Sequence, residues 1–371
     1  MLTKIPCILM RGGTSKGPYF VATDLPADIG QRDRVLLAAM GSPHARQIDG
    51  VGGAQHLTSK VAIVSRSERP GIDVDYLFAQ VGIAEEVVDT SPNCGNILAG
   101  VGPFAVERAL VRATDPVTRV RIFNVNTGAA VEAVIQTPGG VVEYEGETAI
   151  DGVNGTAAPI GLMFRDIVGG STGGRMFPTG RPREVIDGIP VTLMDVGHPM
   201  VFLLASAMGK TGYESKSELD TDRAFLAHLE EIRVEAGLRM GLANARALLP
   251  LPTLVAPPRT PGGTVSARNF LPRELHSAYG VTQTLCTSSA CVMPETLLAE
   301  VVCRHGPDDL RVVIEHVSGT IEADVELATG ADRGVYPSGV AVRRTCRKLF
   351  EGYVLVPHAV WAGSSDRAPA G

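Results

Sequence analysis

The sequence predicts an α/β chain of the α+β type, built as two related domains with a cleft between them. Three observations carry that reading. Length is the first: 371 residues are long for a single core and suit two domains. Texture is the second. Apolar residues make up 44% of the chain, enough for substantial burial, while 42 glycines and 25 prolines divide it into short elements joined by tight turns. The third is a faint internal duplication. A shift of 192 positions, which carries residue 94 onto residue 286, lays "CGNILAGVGPFAVERALVRATDPVTRVRIFNV" over "CTSSACVMPETLLAEVVCRHGPDDLRVVIEHV" without a gap. Identities fall at Cys94/Cys286, Arg112/Arg304, Arg119/Arg311, Val120/Val312, Ile122/Ile314 and Val125/Val317. Both copies share one order: a polar turn with Cys, an apolar helical run, a polar break, then a strand opening on Arg.

The elements follow in order along the chain. "KVAIV" and "VDYLFAQV" read as strands, as do "RVRIFNV" and "VEAVIQTPGGVVEYEG", the last with a glycine turn inside it. "STGGRMFPTGRPREVIDGIPVTLMDVGHPM" is a turn-rich crossing that ends in another apolar strand. The domain junction is therefore placed near Pro190, giving domains 1–189 and 190–371, with the C-terminal segment crossing back onto the first. In "DTDRAFLAHLEEIRVEAGLRMG", Phe225, Leu226, Leu229, Ile232 and Ala236 recur at helical spacing, with acids in the first turn and a base near the end. "LPLPTLVAPPRTPGG" is too proline-rich for a helix and reads as an ordered connection.

Composition also excludes. A net charge of −6 offers no positive field for nucleic acid or an anionic membrane. No apolar stretch is long enough to span a bilayer, and a short apolar run cut off at Arg11 is not a secretion signal, so a cytoplasmic location is expected. The six cysteines (7, 94, 286, 291, 303, 346) lack a paired CxxC framework, which favours thiols over disulfides, and no His/Cys spacing completes a metal set.

Chemistry concentrates at three places. In "IPCILMRGGTSKG" an apolar run gives way to Arg11, Gly12, Gly13, Thr14, Ser15, Lys16 and Gly17, which together bring backbone N–H groups, hydroxyls and positive charge to one anion. The alternative is a flexible turn with surface charge. In "SPNCGNILAGVGPFAVERAL", Asn93 can cap a helix and so put Cys94 in its first turn, where the helix dipole favours the thiolate; Gly95 and Asn96 leave room and donors for a carboxylate. Gly102 and Pro103 predict a kink or an unusually close contact there. In "HLTSKVAIV", Lys60 stands at the mouth of an apolar strand, where partial desolvation makes an amine a usable base. A solvated strand-end lysine is the plain alternative. Upstream, "RQIDGVGGAQHLTSK" adds a second glycine cluster, consistent with a loop folded over a ligand.

Further candidates are Ser288 and Ser289 in the second copy, as carboxylate donors or helix caps, and Cys286, facing Cys94 across the cleft or simply buried. His198 in "DVGHPM" is a proton carrier or a turn residue, and Ser338 in "YPSG" offers its hydroxyl to an anion or forms an ordinary turn. "RGGTSKG" lacks Walker spacing, no GxGxxG follows a strand, and no serine-hydrolase elbow is present. What remains is acid–base chemistry at carbon on a small carboxylated molecule.

"MRGGTSKG", "QIDGVGGAQHLTSKVAIV", "NCGNILAGVGPFAVERAL", "GGRMFPTG" and "VRRTCRKLFEG" together resemble the 2-methylaconitate cis–trans isomerase family over most of the chain. The resemblance implies the diaminopimelate epimerase-like fold, two pseudo-symmetric α/β domains around a cleft. It implies a cofactor-free isomerase, a homodimer, that acts on an unsaturated tricarboxylate from microbial breakdown of aromatic acids such as gallate or protocatechuate. Lys60 matches the family's catalytic lysine, Cys94 its active-site cysteine, and the Arg11-to-Gly17 loop its substrate loop. "DVGHPM" departs from the Gly-Asn-Pro of many relatives, so no role is carried to His198. The implied reaction is a 1,3-proton shift of 4-oxalomesaconate. The rivals are a sister isomerase of aconitate or 2-methylaconitate, and a tricarboxylate-binding protein in which nothing reacts.

Overall fold

The computed structural model describes residues 1–242, 249–271, 274–304, 306, 308–330 and 334–363. It divides into two compact units. One runs from Met1 to Leu162 and takes up the chain again from Arg344; the other is Met163–Arg343. The junction thus falls after Leu162, not near Pro190. The crossing around residues 169–182 belongs with the second unit because it is tied to that unit's strands: Gly169 N–H donates to Asp195 O, and Thr192 Oγ1 to Pro182 O.

The first unit contains strands β1 (Leu2–Gly12) and β2 (Ser15–Val21), helix α1 (Ile29–Met40), and strands β3 (Lys60–Arg66), β4 (Val74–Val81) and β5 (Val88–Asp89). Short helices α2 (Gly95–Leu98) and α3 (Val101–Glu107) follow, then β6 (Val117–Asn124), β7 (Ala129–Gln136) and β8 (Pro159–Arg165), along which the chain passes into the second unit. That unit contains β9 (Glu184–Ile186), β10 (Ile189–Asp195), β11 (Pro199–Leu204), α4 (Lys216–Thr221), α5 (Arg223–Arg239) and β12 (Leu251–Ala256). After β13 (Val265–Asn269), α6 (Val281–Val292), β14 (Arg311–His316) and β15 (Gly319–Gly330), the long β16 (Gly334–Pro357) returns the chain to the first unit and pairs with β1.

The two units repeat one topology. In the first, pairs β1–β2, β3–β4 and β6–β7 are antiparallel while β2–β3 and β4–β6 are parallel. In the second, β10–β11, β12–β13 and β14–β15 are antiparallel while β11–β12 and β13–β14 are parallel. Each parallel step is bridged by helix, as a parallel crossover requires: α1 corresponds to α5, and α2–α3 to α6. The duplication seen in sequence is therefore real in its strands. Arg119 and Arg311 hold equivalent places on β6 and β14, and each reaches a glutamate on the next strand at 2.6 Å, Glu132 and Glu322. His305 and Pro307 of the second copy lie outside the described residues.

Burial follows the amphipathic pattern. Helix α1, capped by Asp28 and ended at left-handed Gly41, buries Val35, Leu36 and Met40 with Ile5, Phe20, Val61 and Ile63 of the sheet. Helix α5 buries Phe225, Leu229, Ile232 and Ala236 against Val191, Leu193, Val201 and Leu254. These are the apolar positions read from the sequence, except that Leu226 is only partly buried.

Two local expectations fail. "LPLPTLVA" is not a connection: β12 is buried throughout, between β11 and β13, and its parallel partner on one side and antiparallel partner on the other accommodate Pro252. "VVEYEG" is not a strand either. A turn at Pro138–Gly140 closes β7, and Tyr144 is instead drawn to Glu107, its hydroxyl donating to Oε1 at 3.1 Å. Among the described residues no helix is long and apolar enough to cross a membrane.

Candidate active site

The N-terminal motif is a tight hairpin more than a loop. Arg11 pairs with Lys16 and Gly12 with Ser15, leaving Gly13 and Thr14 as the two-residue turn. Gly13 has φ +51°, the left-handed value that primed hairpin turns demand. Arg11 clamps this turn: its Nη1 donates to Gly13 O at 2.8 Å, Thr345 O at 3.1 Å and Thr345 Oγ1 at 3.0 Å. That nitrogen is held by two carbonyls and a hydroxyl of the protein itself, so Arg11 shapes the turn. Ser15 is 1% exposed and its Oγ has no hydrogen-bond partner among the described residues. Lys16 is half-buried.

The hairpin sits directly on the start of α2. Asn96 Nδ2 donates to Thr14 Oγ1 at 3.1 Å, and a Cβ at Gly13 would lie 2.1 Å from Asn96 Oδ1. Tyr19, wholly buried on β2, donates its hydroxyl to Ile97 O at 2.5 Å and so fixes α2 against the strand. Burial pushes that phenol well above its usual range.

Lys60 opens β3 and is 6% exposed, so the solvated reading of this residue fails. Gly17 packs on its backbone so closely that a Cβ there would lie 1.7 Å from Lys60 O. Its Nζ donates to Gln80 Oε1 at 2.9 Å and stands 5.0 Å from the centre of the Phe78 ring. Gln80 was not singled out in the sequence. Its signal was a lone amide closing the apolar run "VDYLFAQV", opposite a lone amine opening "KVAIV"; antiparallel pairing sets Lys60 against Gln80.

Upstream, the second glycine cluster is folded about Gln47. The Gln47 carboxamide oxygen accepts from Ala54 N and Ser59 Oγ, both at 2.8 Å, and its Nε2 donates to Ser42 Oγ at 3.0 Å. This segment is thereby a shaped support for the residue before Lys60.

Cys94 is the N-cap of α2, with extended backbone, and its carbonyl accepts from Leu98 N at 3.0 Å and Tyr76 Oη at 3.4 Å. Asn93 is not the cap. Its Oδ1 accepts from Asn124 Nδ2 at 2.6 Å, a partner 31 positions away that local sequence could not reveal. Cys94 therefore lies before the first turn, not in it, and α2 has four residues, too few for a large macrodipole. The local N–H groups of Gly95 and Asn96, which begin the helix without intrahelical partners, are what remains beside the thiol. The break falls at Ala99–Gly100, and the expected close contact is at Gly102, where a Cβ would meet Ile135 Cδ1 at 2.7 Å. Helix α2 packs on β1, β2 and β3. The hairpin, Lys60 and the Cys94–Asn96 turn thus form one neighbourhood within the first unit.

The remaining candidates belong to the second unit. Cys286 is buried in the interior of α6, whose N-cap is Gly280, so the duplication fails in its helical part; burial pushes the Cys286 thiol up. Ser288 and Ser289 are also interior, both 0% exposed, and Ser288 Oγ donates back to Thr284 O at 2.7 Å, so neither caps the helix. Ser338 Oγ donates to Glu326 O at 3.2 Å. His198 follows Gly197 in the β10–β11 turn, and burial lowers its imidazole to about 4, leaving it neutral near pH 7. The units differ where chemistry is expected. β3 opens on Lys60 whereas β12 opens on Leu251, and the N-cap of α2 is Cys94 whereas that of α6 is Gly280.

This chain is 49% identical over 352 residues to the (4E)-oxalomesaconate Delta-isomerase of Novosphingobium sp. (strain KA1), covering 95% of this chain and 97% of that one. It is 47% identical over 362 residues to the 4-oxalomesaconate tautomerase of Pseudomonas putida (strain KT2440), covering 97% and 98%. Among solved structures it matches a methylitaconate-delta-isomerase with a TM-score of 0.87 at 39% identity over 99% of both chains. A hydroxyproline epimerase from Agrobacterium vitis, at 12% identity and a TM-score of 0.50, covers 95% of this chain and 92% of its own and shares the fold alone. The architecture is the diaminopimelate epimerase-like fold, as the motifs implied. Residues 2–357 match the family model described as PrpF protein, and with relatives this similar over nearly their whole length, the chain belongs to the PrpF family.

Proposed function

We propose that this protein is a cofactor-independent isomerase that moves a proton across the conjugated keto–alkene system of 4-oxalomesaconate. The observation that carries the reading is a buried lysine, Lys60, whose backbone packs against Gly17 of the hairpin, on a strand against which α2, begun by Cys94, also packs. Its names come from relatives: proteins 47% and 49% identical are called 4-oxalomesaconate tautomerase and Delta-isomerase.

Lys60 takes a proton from a substrate carbon made acidic by the neighbouring keto and carboxylate groups. The C–H electron pair enters the conjugated system and gives a dienolate, with the negative charge spread onto oxygen. N–H groups of Gly95 and Asn96, with the hydroxyls of Thr14 and Ser15, supply donors for that charge and for a carboxylate. A proton returned at the other end of the system completes the shift, with no change in oxidation state. Cys94, or a water it orients, handles that second proton. One well-placed proton transfer is worth ~10²–10⁴ in rate. The reaction fits the catabolism of gallate or protocatechuate in the cytoplasm, and a homodimer is the family expectation.

The test is the ultraviolet spectrum of freshly made 4-oxalomesaconate with and without the protein, beside parallel assays with 2-methylaconitate and aconitate. Rapid change with 4-oxalomesaconate alone supports the assignment. Faster turnover of either other acid reassigns the substrate, and binding without turnover of any of them leaves a carrier.

A further inference from the structure

The amine at the centre of the site is held by a group that the reaction itself does not use. Lys60 Nζ donates to Gln80 Oε1 at 2.9 Å, and both side chains are at least nine-tenths buried. The amide cannot turn over: its Nε2 donates to Ser59 O at 2.9 Å and His56 O at 3.2 Å, two carbonyls that accept only from a donor. Ser59 is fixed in turn by Gln47, whose Oε1 accepts from Ser59 Oγ at 2.8 Å. The oxygen facing Lys60 is thus set by the fold of residues 47–59.

We propose that Gln80 is a positioning residue for Lys60: it takes one N–H of the amine and so aims the nitrogen lone pair, without placing a negative charge beside it. This inference rests on the reading of Lys60 as the base. A carboxylate at the same place would hold the side chain as an ammonium and remove the base near neutral pH. Among the described residues Lys60 has no carboxylate partner. His56 is a titratable neighbour, its imidazole lowered chiefly by its own burial, and Cys94 starts α2, which packs on the same strand.

The experiment compares Gln80→Met, Gln80→Glu and Lys60→Ala on the full chain, by kcat and KM from pH 6 to 10 and by melting temperature. Gln80→Met removes the acceptor at similar length. It is expected to lower kcat about 10–100-fold at every pH, the scale of a reacting group misplaced by about 1 Å, with KM within about twofold. Gln80→Glu restores an acceptor with charge. Its activity is expected to fall near pH 7 and recover at higher pH, the acidic limb of the profile moving up by about one unit or more. In the Lys60→Ala background, Gln80→Met should remove nothing further, because the two act as one unit.

A structural role alone lowers the melting temperature of both variants while kcat per folded molecule and the acidic limb stay at wild type; that result overturns the inference. If Gln80→Met does not fold, the Gln80→Glu profile decides, an unmoved limb counting against the proposal. Wild-type turnover in Lys60→Ala defeats the parent reading instead. Inactive Lys60→Ala with an unimpaired Gln80→Met defeats only the role of Gln80.

Discussion

Gly17 is where the fold and the chemistry meet most tightly, and Gly17→Ala perturbs both at once. The added methyl would stand 1.7 Å from Lys60 O and 2.7 Å from Lys60 C, and both are backbone atoms of a central strand. No side-chain rotamer can relieve the overlap. Strands β2 and β3, paired in parallel from Tyr19 and Ala62 onward, must part near Lys60 before ordinary contact is restored. Overpacking of this kind costs about 1–3 kcal/mol, and a backbone obstacle belongs at the upper end. For a unit of this size about 3 kcal/mol lowers the melting temperature by about 6–12 °C. The gap has to open by about 1 Å or more, and Lys60 moves with it, so kcat falls about 100-fold. Melting is followed by circular dichroism, and turnover is measured well below the lower transition. A Gly17→Ala protein that melts and turns over like wild type refutes the packing argument and the placing of Lys60 that rests on it.

Two further substitutions separate neighbouring effects. Gly13→Ala meets the Asn96 side chain (Oδ1 at 2.1 Å, Cγ at 2.8 Å) instead of backbone but forces alanine to φ +51°, so it should cost about 1 kcal/mol by denaturant titration, less than Gly17→Ala. Adding Asn96→Ala should relieve the contact and leave the backbone strain, recovering part of that loss. His198→Gln addresses pH. The imidazole of His198 is lowered to about 4 in the folded protein, so between pH 6.5 and 4 the unfolded chain binds a proton that the folded chain does not. Stability from this source is complete above 6.5 and falls by up to about 1.4 kcal/mol per unit as pH drops towards 4. Urea titrations at pH 7 and 5 should show a smaller difference for His198→Gln than for wild type; equal differences would contradict the half-buried, neutral histidine.

What could be read from the sequence was set by short-range physics. Helix α5 follows from its apolar spacing and from Asp222, which caps it by accepting from Phe225 N at 3.0 Å. The strand beginning at Lys60 follows from a polar-to-apolar step. The misses have long-range causes. Asn93 is taken from its capping role by Asn124, and β12 is a strand despite Pro252 because long-range pairing with β11 and β13 holds it in the sheet. The 192-residue shift aligns strands β6 and β14 but misplaces Cys286, since α6 is one continuous helix starting at Val281, whereas α2 and α3 are broken at Gly100. Gln80 was hidden for the same reason. Only sheet register sets it against Lys60, 20 positions away.

The central claim is that the buried amine of Lys60 lifts hydrogen from a substrate carbon. Incubation of 4-oxalomesaconate in heavy water with wild type and with folded Lys60→Ala tests it most directly, by counting deuterium at carbon above the uncatalysed background. The account predicts rapid incorporation with wild type and a loss of ~10²–10⁴ with Lys60→Ala at unchanged secondary structure. Incorporation by Lys60→Ala at the wild-type rate, or none by wild type, would contradict it.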